Sequence, residues 1–139
     1  MDENIAFFAG LYSVPRVRRA ERRDWALKMA GLADQGKRLT GDLPLGFKQR
    51  LALGCAVLHE PKILFLDEPT IGLDVVSQKA VRQFLRDYNR RHRVTILLTS
   101  HYMADIKELC ERVIVIHKGT KIYDGALSHL ETTGGARRK

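Results

Sequence analysis

Apolar residues recur at helical spacing over residues 3–13, where Ile5, Phe8 and Tyr12 fall on one stripe with Phe7 and Leu11 beside it. Pro15 suits the first turn of a second helix, which the i, i+4, i+7 spacing of Trp25, Met29 and Leu32 carries to about Leu32. The stretch ADQGKRLTGDLPLG (33–46) holds three glycines and a proline and reads as loop. A third helix over about 47–58 is nearly all apolar after Arg50, which predicts that it is buried.

The period then changes. KILFLD (62–67) is a short apolar run ending in a carboxylate, the pattern of a buried strand. Asp74 can cap a helix over about 75–91, whose Val81, Phe84, Leu85 and Tyr88 share a face. VTILLTS (94–100) reads as a second buried strand, residues 102–110 as a short helix, and RVIVIHKGTKIYDG (112–125) as a hairpin turning at Lys118-Gly119. A last helical turn is predicted at 126–132. The order places a small helical lobe over 1–46 and an α/β portion over 47–132, a mostly parallel sheet with flanking helices and an edge hairpin. Residues 133–139 form a basic tail with no predicted order.

Composition narrows the class. The 139 residues are 45% hydrophobic, enough for a globular core, and no apolar run approaches the ~20 residues that span a bilayer. The N-terminus begins with acids, a poor secretion signal. Cys55 and Cys110 lie in apolar helical patterns and read as free thiols, and no Cys/His spacing suggests zinc. The net charge is +8, concentrated in PRVRRAERR (15–23), RDYNRRHR (86–93) and the terminal ARRK. Such an excess suits nucleic acid or an anionic membrane surface. Aromatic residues do not interleave with the arginine runs as a strand-binding groove requires, so no specific nucleic-acid partner is expected.

The candidate chemistry sits at strand ends. Asp67 and Glu68 leave the first strand together. There one carboxylate can hold Mg²⁺ while the next polarises an attacking water, although a solvated acidic pair fits the bare sequence as well. His101 follows the second strand, where ligands bind in α/β sheets and where a histidine can reach a phosphate. Upstream, Gly46 lies at the entry of a helix, whose N–H groups and dipole attract phosphate.

Taken together, these segments resemble the ATP-binding cassette (ABC) family of ATPases. The order is the family's: signature loop, apolar helix, ILFLDEPT, the turn IGLD, and a strand leading into a histidine. ENIAFFAGLYSVPR is similar to the helical subdomain of exporter-type members. The resemblance spans about Asp2 to Leu130 and implies an incomplete P-loop NTPase (ABC ATPase) domain. The helical subdomain and signature loop would occupy 1–46, and part of a RecA-like core 47–132. It implies that Asp67 is the magnesium carboxylate, Glu68 the catalytic base, Asp74 the D-loop aspartate, His101 the switch histidine, and Leu43 to Phe47, with Leu43 and Gly46 kept, the signature loop. ATP and Mg²⁺ would be the cofactors, in sites shared between two subunits. The partners would be a second ATPase subunit or another copy of the chain, and a transmembrane permease. The protein would be cytoplasmic, peripheral on the inner face of the membrane.

The chain departs from the family pattern in three places. The family holds phosphate on G-x-x-x-x-G-K-[ST], which would precede Met1. GLADQGKR (31–38) is a decoy, since Arg38 stands where Ser or Thr would bind magnesium. The signature, usually L-S-G-G-Q, is Leu43-Pro44-Leu45-Gly46-Phe47, and Pro44 offers neither hydroxyl nor N–H. Ile71 and Gly72 replace commoner D-loop residues. The expected function is therefore the C-terminal portion of an ABC transporter ATP-binding subunit coupling ATP hydrolysis to export, with these residues alone inactive for want of the phosphate loop. The alternative is a stand-alone, non-catalytic interaction module that complements another subunit in trans. Open flanks on the two strands also predict self-association.

Overall fold

A computed structural model describes residues 1–130. The chain divides into two compact units, Met1–Thr99 and a second beginning at Ser100. In the first, α1 spans Asp2–Leu11 and α2 spans Arg16–Ala30, with Pro15 at the N-cap of α2. Gly31 closes α2 in the left-handed conformation (φ 72°), and the Leu32 N–H reaches back 2.8 Å to the Leu27 carbonyl. These bonds satisfy the end of the helix. The glycines of GLADQGKR are thereby accounted for locally. Gly31 makes the cap, and at Gly36 a Cβ would stand 2.6 Å from both the Asp2 carboxylate and the Arg23 guanidinium.

The core joins Ile5 and Ala9 of α1 to Ala26, Leu27 and Ala30 of α2 and to Leu51 and Cys55 of α3 (Leu45–Ala56). The buried stripe of α2 is rotated from the predicted one. Trp25 and Met29 are only half-buried, while Ala26 and Ala30 are fully enclosed. Close helix packing explains the rotation: a Cβ on Gly54 of α3 would lie 3.4 Å from the Ala26 Cβ, so small residues must face each other there. Arg22 is 4% exposed yet fully used. Its Nε and Nη2 donate to the Leu58 and Val57 carbonyls beyond α3, at 3.0 and 2.9 Å, and Nη1 meets Glu60 at 3.1 Å. A guanidinium thus occupies the negative end of a helix.

α3 begins two residues earlier than predicted. Pro44 is its N-cap, and the Pro44 carbonyl accepts from the Phe47 and Lys48 N–H groups, so Leu45, Gly46 and Phe47 form the first helical turn. A proline with φ −55° presets this entry without losing a needed donor. A short 3₁₀ turn, Thr40–Asp42, precedes it.

Strands β1 (Ile63–Asp67) and β2 (Thr95–Thr99) pair in parallel, in a register running from Ile63↔Thr95 to Asp67↔Thr99. α4 (Val75–His92) connects them and buries Val81, Phe84, Leu85 and Tyr88, the predicted face. The apolar runs predict buried strands. One side does carry buried Leu64, but Ile63, Phe65 and Leu97 on the other are 55, 73 and 54% exposed. Within the second unit, α5 spans Met103–Leu109, and β3 (Arg112–His117) pairs antiparallel with β4 (Thr120–Ala126) as a two-stranded sheet. Its turn has positive φ at Lys118 and Gly119, the primed geometry of a two-residue hairpin. Residues 127–130 are helical, part of the predicted last turn; the rest of that turn and the basic tail lie outside the described residues.

Candidate active site

β1 and β2 deliver Asp67 and Thr99 side by side at their C-terminal ends, and the Thr99 hydroxyl donates to Asp67 Oδ1 at 2.5 Å. One carboxylate oxygen is therefore oriented by the neighbouring strand. The next residue, Glu68, turns out of the sheet with φ 47°. Its N–H is held by the Thr99 carbonyl and hydroxyl, both at 3.1 Å. A left-handed backbone is uncommon for glutamate, so surrounding bonds must impose it. Thr99 was not singled out from the sequence. Only the parallel register, which is a tertiary fact, places it opposite Asp67.

The loop after Glu68 is pinned on both sides. Ile71 N–H donates to the Glu68 carbonyl at 3.1 Å, and Gln49 of α3 donates its side-chain amide to the Pro69 carbonyl at 3.1 Å. Pro69 and Thr70 are fully buried. Gly72 takes φ 71° within the turn. Asp74 then caps α4, Oδ1 accepting from the N–H groups of Val76 and Ser77 at 2.9 and 3.0 Å and Oδ2 from the Ser77 hydroxyl at 2.6 Å. The Ser77 hydroxyl and backbone N–H bonds hold the Asp74 carboxyl below the usual carboxylate range.

Ser77 also explains Gly46. A Cβ on Gly46 would stand 2.6 Å from the Ser77 Cβ, so the starts of α3 and α4 touch through this glycine. Leu43, by contrast, is 4% exposed and belongs to the hydrophobic core, anchoring the segment before α3. His101 lies in the second unit, exposed, two residues past the end of β2, with its ring 4.3 Å from that of Tyr102. Beside it, the Ser100 hydroxyl donates to Asp105 at 2.8 Å and accepts from the Tyr102 N–H at 3.1 Å. The first unit thus groups Asp67, Glu68, Asp74 and Gly46 around one loop, while His101 belongs to the next unit.

The donor set discriminates among metals. Among the described residues no three His, Cys, Asp or Glu side chains gather as a cage. A strand-end carboxylate with one oxygen pre-oriented by a hydroxyl instead fits Mg²⁺, which binds through one or two carboxylates and takes its other ligands from water and phosphates.

This architecture is that of part of an ATP-binding cassette domain. A sequence model of the ABC transporter family matches residues 1–71, and the chain belongs to that family. It is 38% identical over 128 residues to the ABC transporter ATP-binding protein NatA of Bacillus subtilis (strain 168), covering 92% of this chain and 52% of NatA. It is 37% identical over 108 residues to the bacitracin transport ATP-binding protein BcrA of Bacillus licheniformis, covering 78% of this chain and 35% of BcrA. Among solved structures, cbiO1 from Clostridium perfringens, part of the ABC transporter complex cbiONQ, superposes with a TM-score of 0.81 at 28% identity, over 95% of this chain and 53% of that one. The chain spans about half the length of NatA and of cbiO1. The fold is α/β and corresponds to part of the ABC-type P-loop NTPase domain.

Proposed function

We propose that these residues are the water-activating and signature portion of an ABC transporter ATP-binding subunit, which couples ATP hydrolysis to export across a membrane. Residues 1–46 serve as the helical subdomain with its signature segment, and 47–132 as part of the RecA-like core. The observation that carries the reading is the end of β1: Asp67 oriented by Thr99, followed at once by Glu68 on a clamped, left-handed backbone. Asp67 holds Mg²⁺ and Glu68 accepts a proton from the attacking water. Asp74 shapes the D-loop, His101 contacts the terminal phosphate, and Gly46 with the start of α3 faces the nucleotide of the opposite subunit. Two ATPase subunits, alike or different, work on a transmembrane permease at the cytoplasmic face of the membrane. No described helix is long and apolar enough to cross it.

Phosphoryl transfer depends on positioning and charge stabilisation, so Asp67 and Glu68 act only where the phosphates are gripped. The 139 residues alone are expected to bind MgATP weakly and to hydrolyse none, read by calorimetry and phosphate release. Joining them to a family segment that carries G-x-x-x-x-G-K-[ST] is expected to create MgATPase activity, which Glu68→Gln then lowers by about 100-fold or more, the range of a lost general base. Activity that survives Glu68→Gln removes Glu68 as the base. An inactive but folded fusion favours a non-catalytic module.

A further inference from the structure

We propose that Gln49 is a positioning residue for Glu68, the fastening through which the first turns of α3 set the backbone of the water-activating loop; the inference deepens the reading above and rests on it for the role of Glu68. Glu68 keeps a left-handed backbone that a glutamate does not choose on its own, so something must hold it from both sides. On the N-terminal side the holder is Thr99, which accepts the Glu68 N–H twice. On the C-terminal side the next residue is a proline with no N–H to offer, leaving carbonyls as the handles. The Glu68 carbonyl is taken within the turn by Ile71, and the Pro69 carbonyl is taken by the Gln49 amide at 3.1 Å.

Gln49 lies on the second turn of α3, one turn beyond Gly46. The same stretch of α3 meets the exit of the loop at one further point, where Gly46 abuts Ser77 beside the Asp74 cap. The Gln49 bond and this approach, one helical turn apart, tie the start of α3 to both ends of residues 69–77. Any shift of that helix end therefore reaches the Glu68 backbone through the Gln49 bond. If the α3 N-terminus faces the nucleotide of the opposite subunit, this is the link by which that nucleotide aligns the base of this chain.

The essential property of Gln49 is a donor at fixed reach. Gln49→Glu keeps the shape and loses the donor, since a carboxylate cannot donate to a carbonyl, whereas Gln49→Lys keeps donor N–H groups on a chain of similar reach. In the MgATPase fusion, Gln49→Glu is expected to lower kcat by about tenfold or more while the KM for ATP stays within about twofold, because positioning is lost and nucleotide contacts are not. Gln49→Lys restores a large part of kcat. Hydrogen exchange on the 139-residue chain reads the same link without activity: in Gln49→Glu the amides of Ile71 and Leu73 exchange faster, while those of Leu51 to Cys55 in α3 do not. Unchanged loop exchange in Gln49→Glu overturns the proposal, as does a kcat equal to that of the parent. A parent fusion with no ATPase activity counts against the proposed function alone, and the exchange experiment still decides the role of Gln49.

Discussion

Gly46 is held to its identity by a neighbour. A methyl group there would overlap Ser77, so Gly46→Ala forces the starts of α3 and α4 apart. Overpacking of this kind costs about 1–3 kcal/mol. Removing the obstructing side chain as well, in Gly46→Ala with Ser77→Gly, is expected to recover part of that loss despite the poor helix propensity of glycine at position 77. A double-mutant cycle on thermal unfolding checks it, and additive losses would show that the two residues do not compete for the same space. Cys55 offers a second residue-level test. Burial pushes its thiol up to about 11, from 9.0 when unfolded. The folded state thus holds its proton more tightly. Its contribution to stability is complete below pH 9 and disappears as pH climbs from 9 to about 11. The melting temperature is expected to fall across that window, and Cys55→Ala to flatten the fall relative to the parent.

At the scale of elements, the sequence was most legible where chemistry is local. The Asp74 cap, the face of α4 and the Lys118-Gly119 turn all appear where periodicity and turn residues placed them. The loop IGLD was readable because Gly72 and Asp74 carry their conformational roles in their own side chains, or in the lack of one. Legibility ended where two elements must meet. The rotated stripe of α2 follows from the Ala26–Gly54 approach, which no single-helix pattern contains. The start of α3 slid onto the signature residues because Pro44 caps the helix, although glycine-rich surroundings suggested loop. Of the site, Asp67 and Glu68 were visible as the end of an apolar run. Thr99 and Gln49 were not, since their roles arise from strand register and from helix placement after folding.

At the scale of the whole chain, the exposed side of the parallel pair dominates behaviour. Ile63, Phe65 and Leu97 give one sheet face an apolar surface beside two open strand edges. Apolar surface of that kind favours association. The 139 residues, prepared alone at tens of micromolar, on the order of routine structural samples, are expected to scatter light as dimers or larger species. Phe65→Lys is expected to shift them toward monomer. A parent chain that stays monomeric at that concentration would mean the face is covered or too small to matter.

The backbone of Glu68 carries a last consequence. Glycine would relax its positive φ at no steric cost, so the residue most comfortable at position 68 is one with no carboxylate. Robustness and reactivity therefore pull in opposite directions at one peptide unit. An engineer who sorts variants of this chain by heat resistance alone will be drawn toward silencing it.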